Sequence, residues 1–179
     1  MLLIQNYLIG SGYAANIAAS GGKISHYFQY RRIHEPGFGG ASSLRESLKP
    51  QKDVLHQCQA IINAFDYSGI GMIEFRMSNN ELYLMEFNAR FWGSLSLPIF
   101  CGMDFPKILY YQFATQKSFT ADEINVDYKL NLRSRNILSD FKWHILRGFK
   151  SSIGFLTHLA IILPYRLISK KETEVEVEV

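Results

Sequence analysis

The chain is 179 residues long, with 19 Lys plus Arg against 16 Asp plus Glu and a formal net charge of +3. Hydrophobic residues make up 47% and charged residues 20%, which excludes a disordered tail, a collagen-like fibre and a low-complexity scaffold. The length suits one domain or one and a half, and so small a charge gives no ground for a nucleic-acid partner.

Residues 1–9 hold no basic start and no long apolar run, so no signal peptide is expected. Cys58 and Cys101 lack metal-site or disulfide spacing and read as small buried hydrophobes in a reducing, cytoplasmic compartment. Residues 13–19 and 23–32 read as two strands around the turn Ser20-Gly21-Gly22. A glycine-rich loop over residues 36–43 follows, of the kind that brings backbone amides close to a ligand. From Pro50 to about Asp66, the positions Val54, Leu55, Cys58, Ile61, Ile62 and Phe65 trace one stripe of an amphipathic helix. Residues 70–76 and 81–88, joined by Ser78-Asn79-Asn80, read as a second hairpin. A short buried helix is expected over 94–101, and another begins at Asp104-Phe105-Pro106 with Asp104 as its N-cap. Past Thr120 the character changes: no acid occurs between Asp140 and Glu172, and the tail 172–179 alternates Glu with Val. The five histidines show no metal-ligand spacing and read as structural or solvated.

The second hairpin carries the chemistry. Alternation puts Met72, Glu74 and Arg76 on one face, and Leu84, Glu86 and Asn88 on one face of the other strand. A hairpin centred near Asn80 sets Glu74 opposite Glu86, about 5 Å apart at their β-carbons, where like charges repel. Large apolar neighbours (Ile73, Phe75, Met85 and Phe87) add a desolvation cost. A shared proton, a neighbouring arginine or a divalent cation removes it. With the amide oxygen of Asn88, the two carboxylates form an all-oxygen set suited to Mg²⁺ or Mn²⁺ rather than zinc. Arg90 stays on the same side if the strand continues and then reaches a phosphate. The competing reading is a solvated sheet face lined by two acids.

The runs Gly71-Met72-Ile73-Glu74-Phe75-Arg76 and Glu86-Phe87-Asn88-Ala89-Arg90-Phe91-Trp92-Gly93-Ser94 resemble the C-terminal signature of the ATP-grasp superfamily. Together with Gly102-Met103-Asp104-Phe105-Pro106, they are similar to its carbamoyl-phosphate-synthase-like branch, with Ala89 where the family often has proline. The resemblance implies an α+β fold: the C-terminal subdomain of the grasp over residues 1–120, an antiparallel sheet with packed helices. A basic, mainly helical extension (121–171) and a disordered acidic tail (172–179) complete the expected organisation. It implies Glu74, Glu86 and Asn88 as ligands of the Mg²⁺ ions on ATP, and Arg90 as the catalytic contact to phosphate or the acyl group. Residues 3–10 resemble the strand and hinge that meet the adenine, which brings in Gln5, Asn6 and Leu8. Tyr30-Arg31-Arg32-Ile33-His34-Glu35 resembles the basic strand end facing the phosphates, which brings in Arg31, Arg32 and His34.

The implied activity is an ADP-forming ligase that activates a carboxylate as an acyl phosphate for attack by an amine or similar nucleophile. The match begins at the hinge strand, and no lysine-bearing first half of the grasp precedes it. The expectation is therefore a truncated or split protein, inactive alone or completed by a separate chain. The alternative is a non-catalytic remnant that binds nucleotide or a partner. Residues 141–168 mix aromatics with Lys and Arg; packing against the rest of the protein is the preferred reading, and peripheral contact with an anionic membrane the second. Their apolar core, 153–163, is about half of the roughly 20 residues a spanning helix needs.

Overall fold

A computed structural model describes residues 6–36, 40–114 and 124–148. Gln5, residues 37–39 of the glycine-rich loop, the basic stretch beyond 148 and the tail 172–179 lie outside them. The first hairpin is β1 (Ser11–Ser20) and β2 (Lys23–His34). After it come β3 (Leu44–Leu48), α1 (Lys52–Ala64), and the second hairpin, β4 (Gly69–Ser78) with β5 (Glu81–Asn88). Two helices, α2 (Ser96–Cys101) and α3 (Phe105–Ala114), precede a short β6 (Arg133–Arg135) and α4 (Ile137–Gly148). The strands form one sheet in the order β5-β4-β1-β2-β3-β6, with every neighbouring pair antiparallel. This is the α+β architecture expected from the sequence.

β1 sits at the centre although alanines dominate it. Both of its faces are covered, so burial outweighs the weak strand preference of alanine. On one face, Ala15, Ile17 and Ala19 meet Tyr27, Ile73, Phe75 and the α1 stripe Val54, Cys58 and Ile62. The i, i+4, i+8 spacing of that stripe gives α1 its buried side, and each large apolar residue removed from water contributes roughly 1.5–3 kcal/mol. The start of α1 is tied to β2 by a reciprocal pair: the Gln29 amide donates to Gln51 Oε1 (2.7 Å), and the Gln51 backbone N–H donates to Gln29 Oε1 (2.9 Å). On the other face, Ala14, Ala18, Phe28, Tyr30 and Met72 pack with Trp92, Leu97 and Phe105 from the α2–α3 region. Asp104 caps α3 as expected, its Oδ1 accepting from the Lys107 N–H at 3.0 Å.

The expected boundary at residue 120 does not coincide with an end of the sheet. Tyr128 is buried against Phe28 and donates its hydroxyl to Leu48 O at 2.6 Å, and β6 pairs with β3. Buried aromatic surface and ladder hydrogen bonds thus hold residues 124–135 to the sheet, and among the described residues beyond 123 the helix is α4. Neither β3 nor β6 was expected; both are short and charged. Residues 6–10 form no strand, although the resemblance placed a hinge strand there. Tyr7 and Ile9 are about four-fifths exposed (80% and 79%), and the segment meets the end of β4 through side chains, Ser78 Oγ donating to Ile9 O at 2.7 Å. Among those residues no helix is long and apolar enough to cross a membrane.

Candidate functional site

The site is built by a break in register. Asn79 and Asn80, both with positive φ (50° and 63°), make the two-residue turn that starts pairing at Ser78↔Glu81 and carries it to Phe75↔Leu84. Continued, that register sets Glu74 against Met85 and turns Glu86 towards α1. A bulge at Met85 intervenes, and the pairs become Glu74↔Glu86, Ile73↔Phe87 and Met72↔Asn88. Packing records the switch: Leu82 and Phe87, five residues apart, both pack on the α1 side. Phe87 finds room because position 71 is glycine, where a Cβ would lie 2.5 Å from the Phe87 ring. Glu86 and Asn88 are thereby delivered to the face that bears Glu74.

Glu74 is buried, at 9% exposure. Burial pushes its carboxyl above the usual carboxylate range; the Arg32 guanidinium opposes this, while Glu86 and Glu35 add to it. Arg32 Nη1 lies 3.1 Å from Glu74 Oε2 and 3.6 Å from Glu35 Oε1, and Arg76 Nη1 lies 3.2 Å from Glu35 Oε2. Gly12 lies beneath them, since a Cβ there would come within 2.1 Å of Glu35 Oε1 and 2.7 Å of Arg32 Cδ. Across the hairpin, Asn88 Nδ2 donates to Glu86 Oε1 (2.6 Å), and Arg90 Nη2 donates to Asn88 Oδ1 (2.9 Å). The opposed carboxylates are thus relieved by a guanidinium on one and an amide on the other. These residues also fit a hard divalent ion. Their donors are all oxygen, and the desolvated Glu74 carboxylate is the kind of charge such an ion offsets.

Glu74, Glu86, Asn88, Arg90 and Arg32 therefore share one face. Arg31 does not. Alternation along β2 puts it on the α1 face, where its Nε donates to Glu46 Oε2 at 2.7 Å, so it stands apart from the phosphate set that the resemblance implied. His34 is displaced as well, because a second irregularity between Arg32 and His34 turns the strand end towards α4. Asn6 is exposed and Leu8 half-buried in the irregular segment leading to Gly10, whose carbonyl accepts from Arg76 Nη1 at 2.8 Å. The sequence reading missed Arg45, which is 8% exposed, directly opposite Arg32, and bonded to Ser42 O at 2.6 Å. Arg45 rides on the unexpected β3, whose sequence Leu44-Arg45-Glu46-Ser47-Leu48 gives no clear strand pattern.

A second cluster was also missed. The ring nitrogens of His34 and His144 and a carboxylate oxygen of the fully buried Asp140 lie within 4.8 Å of one another. His34 Nδ1 is 2.6 Å from Asp140 Oδ1, Ser43 Oγ donates to the same oxygen at 2.8 Å, and Arg135 Nε lies 3.3 Å from Oδ2. His34 also stacks on Trp143 at 3.8 Å, and the indole N–H donates to Glu35 O at 3.0 Å. Linear spacing of histidines was blind to this, because His34 lies 106 residues from Asp140. Asp140 clamps α4 to the strand ends of β2, β3 and β6.

Comparison with solved structures places the fold. Biotin carboxylase from Campylobacter jejuni, in its β,γ-ATP complex, matches with TM-score 0.55 and 16% identity over 74% of this chain and 31% of that one. The L-amino acid ligase from Bacillus licheniformis matches with TM-score 0.57 and 13% identity over 73% and 34%. Pyruvate carboxylase from Rhizobium etli matches with TM-score 0.57 and 15% identity over 70% and 14%. The chain thus spans about a third or less of these proteins, and its fold is that of part of an ATP-grasp enzyme. Residues 1–136 match the model of the family described as "ATP-grasp in the biosynthetic pathway with Ter operon", and the chain belongs to that family. The carbamoyl-phosphate-synthase-like resemblance is consistent with these neighbours. No curated protein matches it in sequence.

Proposed function

We propose that this chain is the metal- and phosphate-gripping part of an ADP-forming carboxylate ligase. One observation carries the reading: the Met85 bulge, which brings Glu86 and Asn88 onto the face of Glu74 beside Arg32. In the proposed reaction a substrate carboxylate oxygen attacks the γ-phosphorus of ATP, the bond to the β-phosphate oxygen breaks, and ADP leaves. An amine or similar nucleophile then forms a bond to the acyl carbon as phosphate departs.

Glu74, Glu86 and Asn88 are the proposed holders of Mg²⁺ or Mn²⁺. When bound, the ion supplies charge neutralisation between the phosphates. Arg90, anchored by Asn88, is positioned for the charge developing on the transferred phosphoryl or acyl oxygen. Arg32 and Arg45 extend the same cationic surface. Asn6 and Leu8 are proposed to meet the nucleotide base, together with Gln5. The lysine-bearing half that covers the phosphates is proposed to come from outside residues 1–136, in the same protein or a second chain. A cytoplasmic location is part of this reading, supported by two free, buried thiols; burial pushes Cys58 up to about 12.

Isothermal titration of the full chain with a non-hydrolysable ATP analogue should give binding that requires Mg²⁺ and is lost in Glu86→Gln. With the covering half restored, ADP release dependent on the carboxylate substrate should fall by about 100-fold or more in the same variant. Binding that ignores both Mg²⁺ and Glu86 would overturn the assignment, and Mg²⁺-dependent binding without ADP release in the restored protein would mark a non-catalytic remnant.

A further inference from the structure

α4 carries its amphipathic pattern the wrong way round for a helix facing water. Within residues 137–147 the two buried side chains are Asp140, fully enclosed, and His144, one turn on, at 4% exposure. The outer side holds Leu138 and Leu146, 74% and 59% exposed, with the exposed Lys142 midway between them. That i, i+4, i+8 spacing makes one stripe along the helix. A solvated surface helix has the opposite arrangement, charge outside and leucine inside. The inward charge is accounted for, because Asp140 meets His34, Ser43 and Arg135 at the strand ends. The outward leucines are not. Arg147 is exposed beside them, its guanidinium carbon 4.5 Å from the centroid of the Trp143 ring. Neither it nor Lys142 has a carboxylate partner among the described residues. The sequence continues this bias: between Asp140 and Glu172 stand six Lys or Arg and no Asp or Glu.

We propose that the outer face of α4 docks on an anionic lipid membrane, with the helix lying in the plane of the headgroups. The two leucines enter the boundary with the acyl chains, while Lys142 and Arg147 lay their methylenes along it and keep their charged heads at the lipid phosphates. Charge decides between a membrane and a protein partner. A protein interior takes leucines readily but resists cations that arrive without a counter-charge. An anionic bilayer accepts both, and each basic residue near its surface strengthens attachment by about fivefold. The helix lies on the surface rather than crossing it, since no described helix is long and apolar enough to span. The stripe shares no residue with the Glu74–Glu86 hairpin, so it stands or falls independently of the ligase reading.

The test is co-sedimentation of the full chain with vesicles of phosphatidylcholine, alone or mixed with phosphatidylglycerol. The chain should sediment with the anionic vesicles, bind the neutral ones far more weakly, and be released as salt rises. Leu138→Glu combined with Leu146→Glu should cut the partition coefficient by about tenfold or more, because apolar contact is lost and two repelled charges are gained. Lys142→Glu, at the middle of the stripe, should cut it by about tenfold at low salt. Sedimentation with neither vesicle, or anionic binding unchanged in both variants, overturns the proposal. So does self-association without vesicles that both variants abolish, which would mark the face as a contact between copies of the chain. If the double variant loses its fold by circular dichroism, Lys142→Glu decides: weaker binding supports the surface, unchanged binding removes it.

Discussion

The two sides of the sheet hold their charges by different means. On the β4–β5 side, like charges are brought face to face, Glu74 against Glu86, and only side-chain partners borrowed from β2 and from the same strand relieve them. On the β3–β6 side, opposite charges already alternate across strands, with Arg31, Glu46 and Arg133 in one row and Asp140 gathering His34, Ser43 and Arg135. The first arrangement is the proposed cation site. The second holds the fold together. Two adjacent residues, Arg31 and Arg32, belong one to each side, because a strand sends successive side chains to opposite faces.

The comparison is broken most severely by Phe87→Ala. The ring seated over Gly71 holds the register beyond the bulge, so its loss should cost about 3 kcal/mol in denaturant unfolding. Mg²⁺-dependent nucleotide binding should weaken by about tenfold or more in titration as Glu86 and Asn88 lose their anchor, whereas deleting Met85, the extra residue, should leave both on the Glu74 face and binding intact. Asp140→Asn attacks the other side. Breaking a fully buried charged centre should cost about 3 kcal/mol by the same measurement. The Trp143 fluorescence should shift to the red as its stack on His34 loosens, while nucleotide binding remains.

Arg32→Gln and Arg31→Gln separate the faces at neighbouring positions. The first strands the buried Glu74 and should cost about 2 kcal/mol together with Mg²⁺-nucleotide binding. The second, half-exposed, should cost under about 1 kcal/mol and leave that binding intact. Acid titration gives a smaller and signed effect. Glu46 is held below its ordinary value of 4.5, so its contribution to stability is fully present above that pH and is lost as pH falls through the lowered value. The acid limb of the wild-type stability curve should therefore be shallower in Glu46→Gln. Smallest is Gly12→Ala, in which the added methyl displaces the Glu35 carboxylate. Stability should change by less than about 1 kcal/mol, with Mg²⁺-nucleotide binding weakened a few-fold.

The opposition of the two glutamates was legible in the sequence, but the route to it was not. The asparagine turn alone sets Glu74 against Met85, and nothing in Leu84-Met85-Glu86 announces an inserted residue. The bulge becomes visible only through Phe87 packing into the space left by Gly71. β3 escaped notice because Arg45 and Glu46 leave it without an apolar alternation; Glu46 is accommodated by Arg31 and Arg133 from the two neighbouring strands. The Asp140 cluster escaped for a related reason: its members come from β2, the turn before β3, β6 and α4.

From the sequence alone came the helix over 50–66 with its apolar stripe, the two short helices after the second hairpin, both hairpins, the cap at Asp104 and the ATP-grasp signature in the second hairpin. These are local patterns, written in consecutive residues with a period of two or 3.6. Tertiary structure alone decided which arginine faces which carboxylate, where His34 goes, and that residues 124–135 close the sheet. The reason is that a charge enters the interior only when its counter-charge arrives from elsewhere in the chain, and that distant pairing leaves no periodic trace in the sequence.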